Sequence, residues 1–260
     1  MVELIVLKLG GSIITHKSED QAKVNEKNLN RLCGEISSAK TKKGFKLVVV
    51  HGAGPYGHVL AKKFKLADGI SQDWQLEGVP LTHQSMEQLN SQVVAALQKA
   101  GISAISLQPS AGGILQAKKL ASFPVEVVEK LIEKDIVPVS YGDVLIDLVT
   151  GFNILSGDHL VPYLAEKLKA TRVIIATDVD GILDEKGVVI PKITEKNSNQ
   201  LNYTKVKGTD VTGGMKRKVE ELFDLAINRN IDSCIINGSK PGVLEKTLEG
   251  KKVKGTKITS

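Results

Sequence analysis

Short runs of β-branched residues alternate with longer amphipathic patterns along almost the whole chain, and this alternation constrains the fold more than any other feature. Regular alternation of strands and helices is typical of a mainly parallel sheet with helices on both faces. The predicted strands are Glu3–Leu9, Lys46–Val50, Ser103–Leu107, Ile136–Ser140, Arg172–Ala176, Ser233–Ile236 and Val253–Ile258. The predicted helices are Glu26–Ala39, Gly57–Phe64, His83–Ala100, Val125–Lys134, His159–Leu168, Gly214–Asn228 and Val243–Leu248. The sequence therefore predicts an α/β fold.

Two segments interrupt this alternation and carry the turn residues of hairpins. They are Asp143–Ile154, with its turn at Gly151, and Gly181–Ile190, with its turn at Glu185–Gly187. No proline-rich or serine-rich linker and no repeat divides the chain. We therefore predict a single domain over residues 1–260, with a cleft near Ala170 that separates a lobe of about residues 1–170 from one of about 171–260.

The composition narrows the class of partner. Only ten of the 260 residues are aromatic (one Trp, four Tyr, five Phe), so a base-stacking surface for nucleic acid is not expected. The net charge of +6 favours acidic partners, but the lysines are spread along the chain. The densest runs, Lys40–Lys43 and Lys251–Lys254, contain no aromatic residue and are typical of solvated turns. Small phosphorylated molecules are therefore the predicted partners.

The remaining general features point to a soluble, cytoplasmic protein. Cys33 and Cys234 have no CxxC spacing and lie in apolar-periodic segments, which is typical of reduced core thiols. The apolar run Leu4–Leu9 is too short for a signal peptide. No apolar run approaches the roughly 18–20 residues that a membrane-spanning helix requires, so no membrane partner is expected.

Glycine clusters recur where predicted strands end or helices begin. In an open parallel sheet these junctions share one edge, where ligands bind. Gly10-Gly11 and Gly52–Gly54 follow the first two strands, and Asp178–Gly181 follows a later one. Ser156–Asp158 and Gly213-Gly214 precede helices. Five such junctions predict an anion-binding rim more strongly than any one of them does alone.

Two of these clusters have the composition of phosphate sites. In Lys8–Ser12 the glycines would let backbone N–H groups approach an anion, and Lys8 would add positive charge; a plain strand-to-loop turn is the alternative. His51–His58 places a glycine-rich turn at a helix N-terminus, with His58 in the first helical turn. Gly52–Gly57 also spells G-x-G-x-x-G, but no strand ending in an acidic residue follows about twenty residues later, which disfavours NAD.

Two further clusters combine charged residues with a glycine-containing turn. Thr177–Gly181 carries two carboxylates that would bind Mg²⁺ or hold a nucleotide, although Asp-x-Asp-Gly is also an ordinary turn. In Asp210–Lys218, glycines begin a helix and Lys218 lies one turn inside it, within reach of an anion at the helix N-terminus.

Taken together, these motifs resemble the amino acid kinase superfamily, in the family's order and over nearly the whole chain. They are Lys8–Ser12, His51–Gly54, Ser156–Asp158, Thr177–Gly181, Asp210–Lys218 and Gly255–Ile258. The resemblance implies a three-layer αβα sandwich whose first lobe binds the acceptor and whose second lobe binds the nucleotide. His58, Lys17, Ser106–Ser110 and Tyr141–Asp143 are similar to the archaeal-type isopentenyl phosphate kinases within it. This similarity implies ATP-dependent phosphorylation of isopentenyl phosphate.

The resemblance also assigns roles residue by residue. The implied catalytic residues are Lys8, Lys17, Asp158 and Lys218, with Asp158 positioning the lysines. The implied ATP-binding residues are Lys8, Gly10, Gly11, Ser12, Gly54, Asp178, Gly213, Gly214 and Lys218. The implied acceptor-binding residues are Ala53, His58 and Gly157. Mg²⁺ is expected mainly on the ATP phosphates, and a homodimer is expected.

Four alternatives are weighed against this interpretation. A fosfomycin-kinase-like phosphonate kinase would use the same histidine, and other small-acid kinases share the fold. A uridylate kinase would lack His58. A non-catalytic nucleotide sensor would usually lack one of the phosphate lysines, but Lys8, Lys17, Lys218 and Asp158 are all present.

Overall fold

The computed structural model describes residues 2–16, 22–198 and 214–260, and side chains within these ranges except at 198 and 214–219. The strands are β1 Leu4–Leu9, β2 Lys46–His51, β3 Ala104–Ser106, β4 Ile114–Gln116, β5 Lys119–Ser122, β6 Val137–Tyr141, β7 Asp143–Asp147, β8 Gly151–Leu155, β9 Arg172–Thr177, β10 Lys192–Ile193, β11 Asp232–Asn237 and β12 Gly255–Ile258. The α-helices are α1 Gly11–Ile14, α2 Glu26–Lys43, α3 Pro55–Lys63, α4 Gly78–Lys99, α5 Val125–Glu133, α6 Gly157–Lys167, α7 Glu195–Ser198, α8 Gly214–Arg229 and α9 Val243–Leu248.

Eight strands form the central sheet in the order β10-β12-β11-β9-β1-β2-β6-β3. From β11 to β3 all neighbours are parallel, and β12 joins β11 antiparallel. Helices cover both faces of this sheet, because its middle strands are almost continuously apolar and must be buried on both sides. The predicted fold class, a three-layer αβα sandwich with a mainly parallel sheet, is confirmed.

Alternate side chains of β1 show how the layers are built. Ile5, Leu7 and Leu9 pack into the core formed with α2, α4 and α9. Val6 packs into the opposite core, formed with α5, α6 and α8. Because side chains alternate along a strand, Lys8 lies on the same face as Val6, toward α6. The pleat of β1 thus decides which helix Lys8 can reach.

Helix boundaries differ from the predictions for local reasons. Pro55 begins α3 two residues earlier than predicted, since proline is suited to the first helical position. Helix α6 begins at Gly157 because Ser156 Oγ accepts the N–H of Asp158 at 3.1 Å. Helix α4 begins at Gly78, five residues before the predicted start. Helix α2 continues to Lys43 and ends at Gly44, which is left-handed with φ +67°.

A second sheet, with strand order β5-β4-β7-β8, lies apart from the first. Its β7–β8 pair confirms the hairpin predicted over Asp143–Ile154, with Gly151 opening β8 at φ +78°. Strands β4 and β5 were not predicted. The hairpin predicted over Gly181–Ile190 is short: Leu183 and Val189 form a single antiparallel bridge, flanked by backbone bonds from Asp184 N–H to Val188 O and from Ile190 N–H to Ile182 O, both at 2.8 Å. The lobe boundary near Ala170 stays a prediction. In the described ranges, the apolar stretch of every helix is too short to cross a membrane.

Candidate active site

The carboxyl ends of β9, β1 and β2 are adjacent in the sheet, and the three glycine-containing loops that follow them meet there. Gly10 N–H donates to Ala176 O at 2.8 Å, which joins the loop after β1 to the end of β9. Gly52 N–H donates to Leu9 O at 2.9 Å, which joins the loop after β2 to the end of β1. The structure therefore brings three of the predicted junctions together, at the ends of three neighbouring strands.

The first two loops contact each other backbone to backbone. A Cβ atom on Gly11 would overlap the backbone N of Gly54 and come within 2.8 Å of its Cα. A Cβ atom on Gly52 would lie 2.5 Å from Gly11 N. Gly54 has φ +53°, a conformation that disfavours any side chain. Close loop packing is thus a second reason for these glycines, besides the predicted access of an anion.

Lys8 forms an ion pair at this rim with Asp158. Lys8 Nζ lies 2.5 Å from Asp158 Oδ1, and the lysine side chain is only 7% exposed. Gly157 leaves room for this lysine, since a Cβ atom there would lie 3.5 Å from Lys8 Cε and 3.3 Å from His51 O. The N-terminus of α6 therefore holds a buried cation beside the two glycine loops. This contact is the one that the family resemblance implies, while the catalytic roles of the two residues stay predictions.

Asp178 and Asp180, the two carboxylates predicted to bind Mg²⁺ or a nucleotide, contact different partners. Ser12 Oγ donates to Asp178 Oδ1 at 3.1 Å, which ties the loop after β9 to the loop after β1. Asp180 contacts Asn237, Lys240 and Lys254 at 2.6–3.0 Å. Hydrogen bonds from Lys240, Asn237 and Lys254 hold the pKa of Asp180 well below its usual range. A carboxylate already engaged by two lysines is a poor ligand for Mg²⁺, which argues against Asp180 as a metal ligand.

The residues predicted to face the acceptor lie on both sides of the rim. His58 is exposed in the first turn of α3, and its backbone N–H donates to Gly54 O at 3.1 Å. Ala53 packs against this turn, because a Cβ atom on Gly57 would come within 2.7 Å of Ala53 Cβ. Gly157, the first residue of α6, lies near the end of β2, since a Cβ atom there would be 3.3 Å from His51 O.

Several predicted residues cannot be placed. Lys17 and Gly213 lie outside the described residues. Gly214 is the first residue of α8, and Lys218 lies within that helix, but its side chain is outside the described part of the structure. The proposed contact of Lys218 with Asp158 is therefore still a prediction.

Two histidine contacts with polar partners were not predicted. His51 is fully buried, stacks on Tyr141 with ring centroids 5.4 Å apart, and lies 3.2 Å from Asn90 Oδ1. Burial lowers the pKa of His51 to about 4, so this residue is neutral at physiological pH. His83 Nδ1 lies 3.0 and 3.1 Å from the two carboxylate oxygens of Asp143. Burial raises the pKa of Asp143, and the bond from His83 opposes that rise. Polar residues inside apolar-periodic segments were the available signal for both sites.

In the described part of the chain, the other candidate metal ligands and the two cysteines form no second reactive site. Among the described side chains, no three His, Cys, Asp or Glu residues form a metal-binding group. Cys33 and Cys234 are both free. Burial raises the pKa of Cys33 to about 12 and that of Cys234 to about 11, so neither is a thiolate nucleophile at neutral pH.

Comparison with known proteins agrees with this geometry. The sequence matches the amino acid kinase family over residues 3–237. The chain belongs to the amino acid kinase family. It is 36% identical to the isopentenyl phosphate kinase of Methanothermobacter thermautotrophicus, over 98% of this chain and 99% of that protein. It is 37% identical to the enzyme of that name from Methanocaldococcus jannaschii, over 98% of each chain.

Solved structures of this family have the same fold as the chain. An isopentenyl phosphate kinase crystal structure superposes with a TM-score of 0.85 at 33% identity, covering 98% of this chain and 100% of that one. Because the match is nearly end to end, the family assignment covers both glycine loops and the strand that carries Lys8.

Proposed function

We propose that the protein transfers the γ-phosphoryl group of ATP to isopentenyl phosphate, giving ADP and isopentenyl diphosphate. The observation that carries this proposal is the near full-length similarity to two isopentenyl phosphate kinases at 36% and 37% identity. In the reaction, an oxygen of the acceptor phosphate forms a bond to the γ-phosphorus. The bond from that phosphorus to the β–γ bridging oxygen breaks, and its electrons leave with ADP.

The charges at the rim suit this reaction. A phosphate acceptor is already ionised, so no general base is needed, and the obstacle is repulsion between two anions. Phosphoryl transfer asks the protein mainly for positioning and for cations around the transferred group. Lys8, held by Asp158 at 2.5 Å, supplies one such cation between the two glycine loops. We assign the same role to Lys17 and Lys218, and acceptor-phosphate binding to His58, Ala53 and Gly157.

ATP would occupy the other part of the rim. Gly10, Gly11 and Gly54 would line its phosphates, together with Ser12, Asp178, Gly213, Gly214 and Lys218. Asp178 accepts from Ser12 Oγ and so joins two of the loops that would surround these phosphates. When bound, Mg²⁺ would neutralise charge on the ATP phosphates.

We also propose that the enzyme is a cytoplasmic homodimer, on the family resemblance alone. Light scattering at micromolar concentration should give twice the mass of the 260-residue chain. A monomer mass would remove this part of the proposal.

The decisive experiment measures ATP consumption with isopentenyl phosphate, with a phosphonate such as fosfomycin, and with no acceptor. Consumption that depends on isopentenyl phosphate supports the proposal, and a preference for the phosphonate would replace it. No acceptor-dependent consumption would favour the nucleotide sensor.

Variants of His58 then test the acceptor site. His58→Ala should lower kcat/KM for isopentenyl phosphate by roughly 10- to 100-fold, because a hydrogen bond to a charged group is worth about 1.5–3 kcal/mol. His58→Gln should keep part of the activity, since its amide still donates. Lys62→Ala, exposed on the same helix, is the control. Equal losses for ATP and acceptor that follow the melting temperature would contradict the assignment.

A further inference from the structure

One turn of α4, residues His83–Met86, contacts both sides of the proposed acceptor site. On one side, Ser85 Oγ donates to Tyr56 O at 2.8 Å. Met86 packs on the same turn of α3, since a Cβ atom on Gly57 would lie 3.0 Å from Met86 Sδ. This side of the helix therefore supports the segment that carries Ala53 and His58.

On the other side, His83 binds the first residue of β7. The side chain of Asp143 is 0% exposed, and both of its oxygens lie within 3.1 Å of His83 Nδ1. Its neighbour Gly142 packs on the segment leading into α6. A Cβ atom on Gly142 would come within 3.1 Å of Leu155 O and 3.4 Å of Gly157 N. Asp143 thus lies one residue from a direct contact with Gly157.

The surroundings of the pair make it hard to replace. Besides His83, Asp143 Oδ1 accepts the N–H of Val144 at 2.8 Å. The second ring nitrogen of His83 lies 3.2 Å from Gln108 Nε2 and 3.4 Å from Glu87 Oε1. Removal of the histidine would leave a buried carboxylate without its main side-chain partner, and such a group would draw in water or shift the strand.

We propose that His83 and Asp143 form a positioning pair that fixes the spacing between the two halves of the acceptor site. One half is formed by Ala53 and His58, and the other is Gly157. Neither member of the pair touches a reacting atom; each acts through the backbone it holds. The inference rests on the proposed function, because it takes these residues as the acceptor's ligands.

The expected consequence is selective for the acceptor. A small phosphate must lie within hydrogen-bond distance of both halves at once, and a displacement of about 1 Å can cost on the order of a hundredfold in rate. The contacts around Ser12 and Asp178, where we place ATP, involve neither His83 nor Asp143. Loss of the pair should therefore weaken acceptor binding more than ATP binding.

The test compares His83→Ala, His83→Gln and the exposed neighbour Gln84→Ala as control. His83→Ala should raise KM for isopentenyl phosphate by roughly tenfold and change KM for ATP by less than about twofold. His83→Gln should return KM for the acceptor to within about threefold of wild type, because its amide can still donate to Asp143. Gln84→Ala should match wild type.

Hydrogen exchange of the ligand-free proteins gives a readout that does not depend on the substrate. Amides of residues 53–58 and 156–158 should exchange faster in His83→Ala than in Gln84→Ala. Unchanged exchange, equal rises in both KM values, or a His83→Gln variant no better than His83→Ala would overturn the positioning role. If the wild-type protein does not use isopentenyl phosphate, the proposed function fails while the exchange data still decide on the pair.

Discussion

Asp147 and Asp180 both join neighbouring loops, but they do so with different partners. Asp147 is 1% exposed and accepts four backbone N–H groups, from Ala117, Lys118, Val149 and Thr150. Asp180 instead pairs with the side chains of Lys240 and Lys254, which are 53% and 67% exposed. Asp147 links two backbone segments inside the protein. Asp180 is instead bound by flexible lysine side chains that extend into solvent.

The same contrast separates the glycine loops from the loop after β9. The glycine loops contact each other through backbone atoms at Gly11, Gly52 and Gly54, and backbone atoms cannot rotate away as a side chain can. The loop after β9 is held by side chains, through Ser12 at Asp178 and through the two lysines at Asp180. We therefore expect the first region to be sensitive to added volume and the second to salt and pH.

The largest effect is expected from Gly11→Ala. Its Cβ would overlap the backbone of Gly54, and overpacking of this kind costs about 1–3 kcal/mol or more. The glycine loops would separate, and kcat should fall at least a hundredfold, on the order expected for a displacement of about 1 Å. Gly34→Ala is the control. Gly34 has nothing within 4 Å of an added Cβ and lies inside α2, so the change should stabilise by about 0.5–1 kcal/mol. A fully active Gly11→Ala enzyme would show that the loops can move apart.

The next largest effect concerns the ion pair between Lys8 and Asp158. Lys8→Ala should lower kcat by a hundredfold or more, because losing one contact to developing charge costs about 3–4 kcal/mol. Asp158→Ala should also lower kcat, because Asp158 acts through the same lysine. The fall in kcat of the double variant should therefore be far smaller than the product of the two single falls. Lys46→Ala, at the start of β2, is the control and should leave kcat nearly unchanged. Additive losses would mean that Asp158 acts independently of Lys8.

The sequence predicted the sheet and the rim because both depend on local signals. Apolar runs such as those of β1 and β2 and glycines at strand ends are visible in the linear chain. The ion pair of Lys8 with Asp158 was expected only by resemblance, since 150 positions separate the two residues and the pleat of β1 decides that they meet.

Other contacts could not be predicted from the sequence. Strands β4 and β5 are only three and four residues long, too short for a clear period-2 pattern. They are held by Asp147, whose bonds from Ala117 and Lys118 span 30 and 29 positions. His83 likewise contacts Asp143 across 60 positions, and the sequence around His83 does not indicate which residue is its partner. Long-range polar contacts of this kind carry no sequence period.

Asp147→Asn should show a smaller, pH-dependent effect. Burial raises the pKa of Asp147, but the N–H groups of Val149, Lys118, Thr150 and Ala117 outweigh it and hold the pKa below its usual value. The charge therefore stabilises the fold above the unfolded pKa of about 3.9, and this contribution is lost as the pH falls through the lower folded value. At pH 7 the variant should lose about 1–3 kcal/mol in urea unfolding, and the loss should shrink in acid. The exposed Asp73→Asn serves as control, and an equal loss at pH 7 and in acid would exclude a role for the charge.

The smallest effect is expected from Asp180→Asn, and its salt dependence decides whether the comparison holds. Exposed ion pairs contribute about 1 kcal/mol or less, because solvent screens them and both side chains lose freedom. The pKa of Asp180 is lowered chiefly by its bonds from Lys240, Asn237 and Lys254, so its contribution is also present at neutral pH and lost in acid. Between about 0.1 M and 1 M salt the screening length falls from about 10 Å to about 3 Å, which should remove most of the difference from wild type. Asp147→Asn should keep its deficit over the same range, because its partners are buried neutral N–H groups. A salt-independent loss at Asp180, larger than that at Asp147, would mean that this loop is also fixed by its interior contacts.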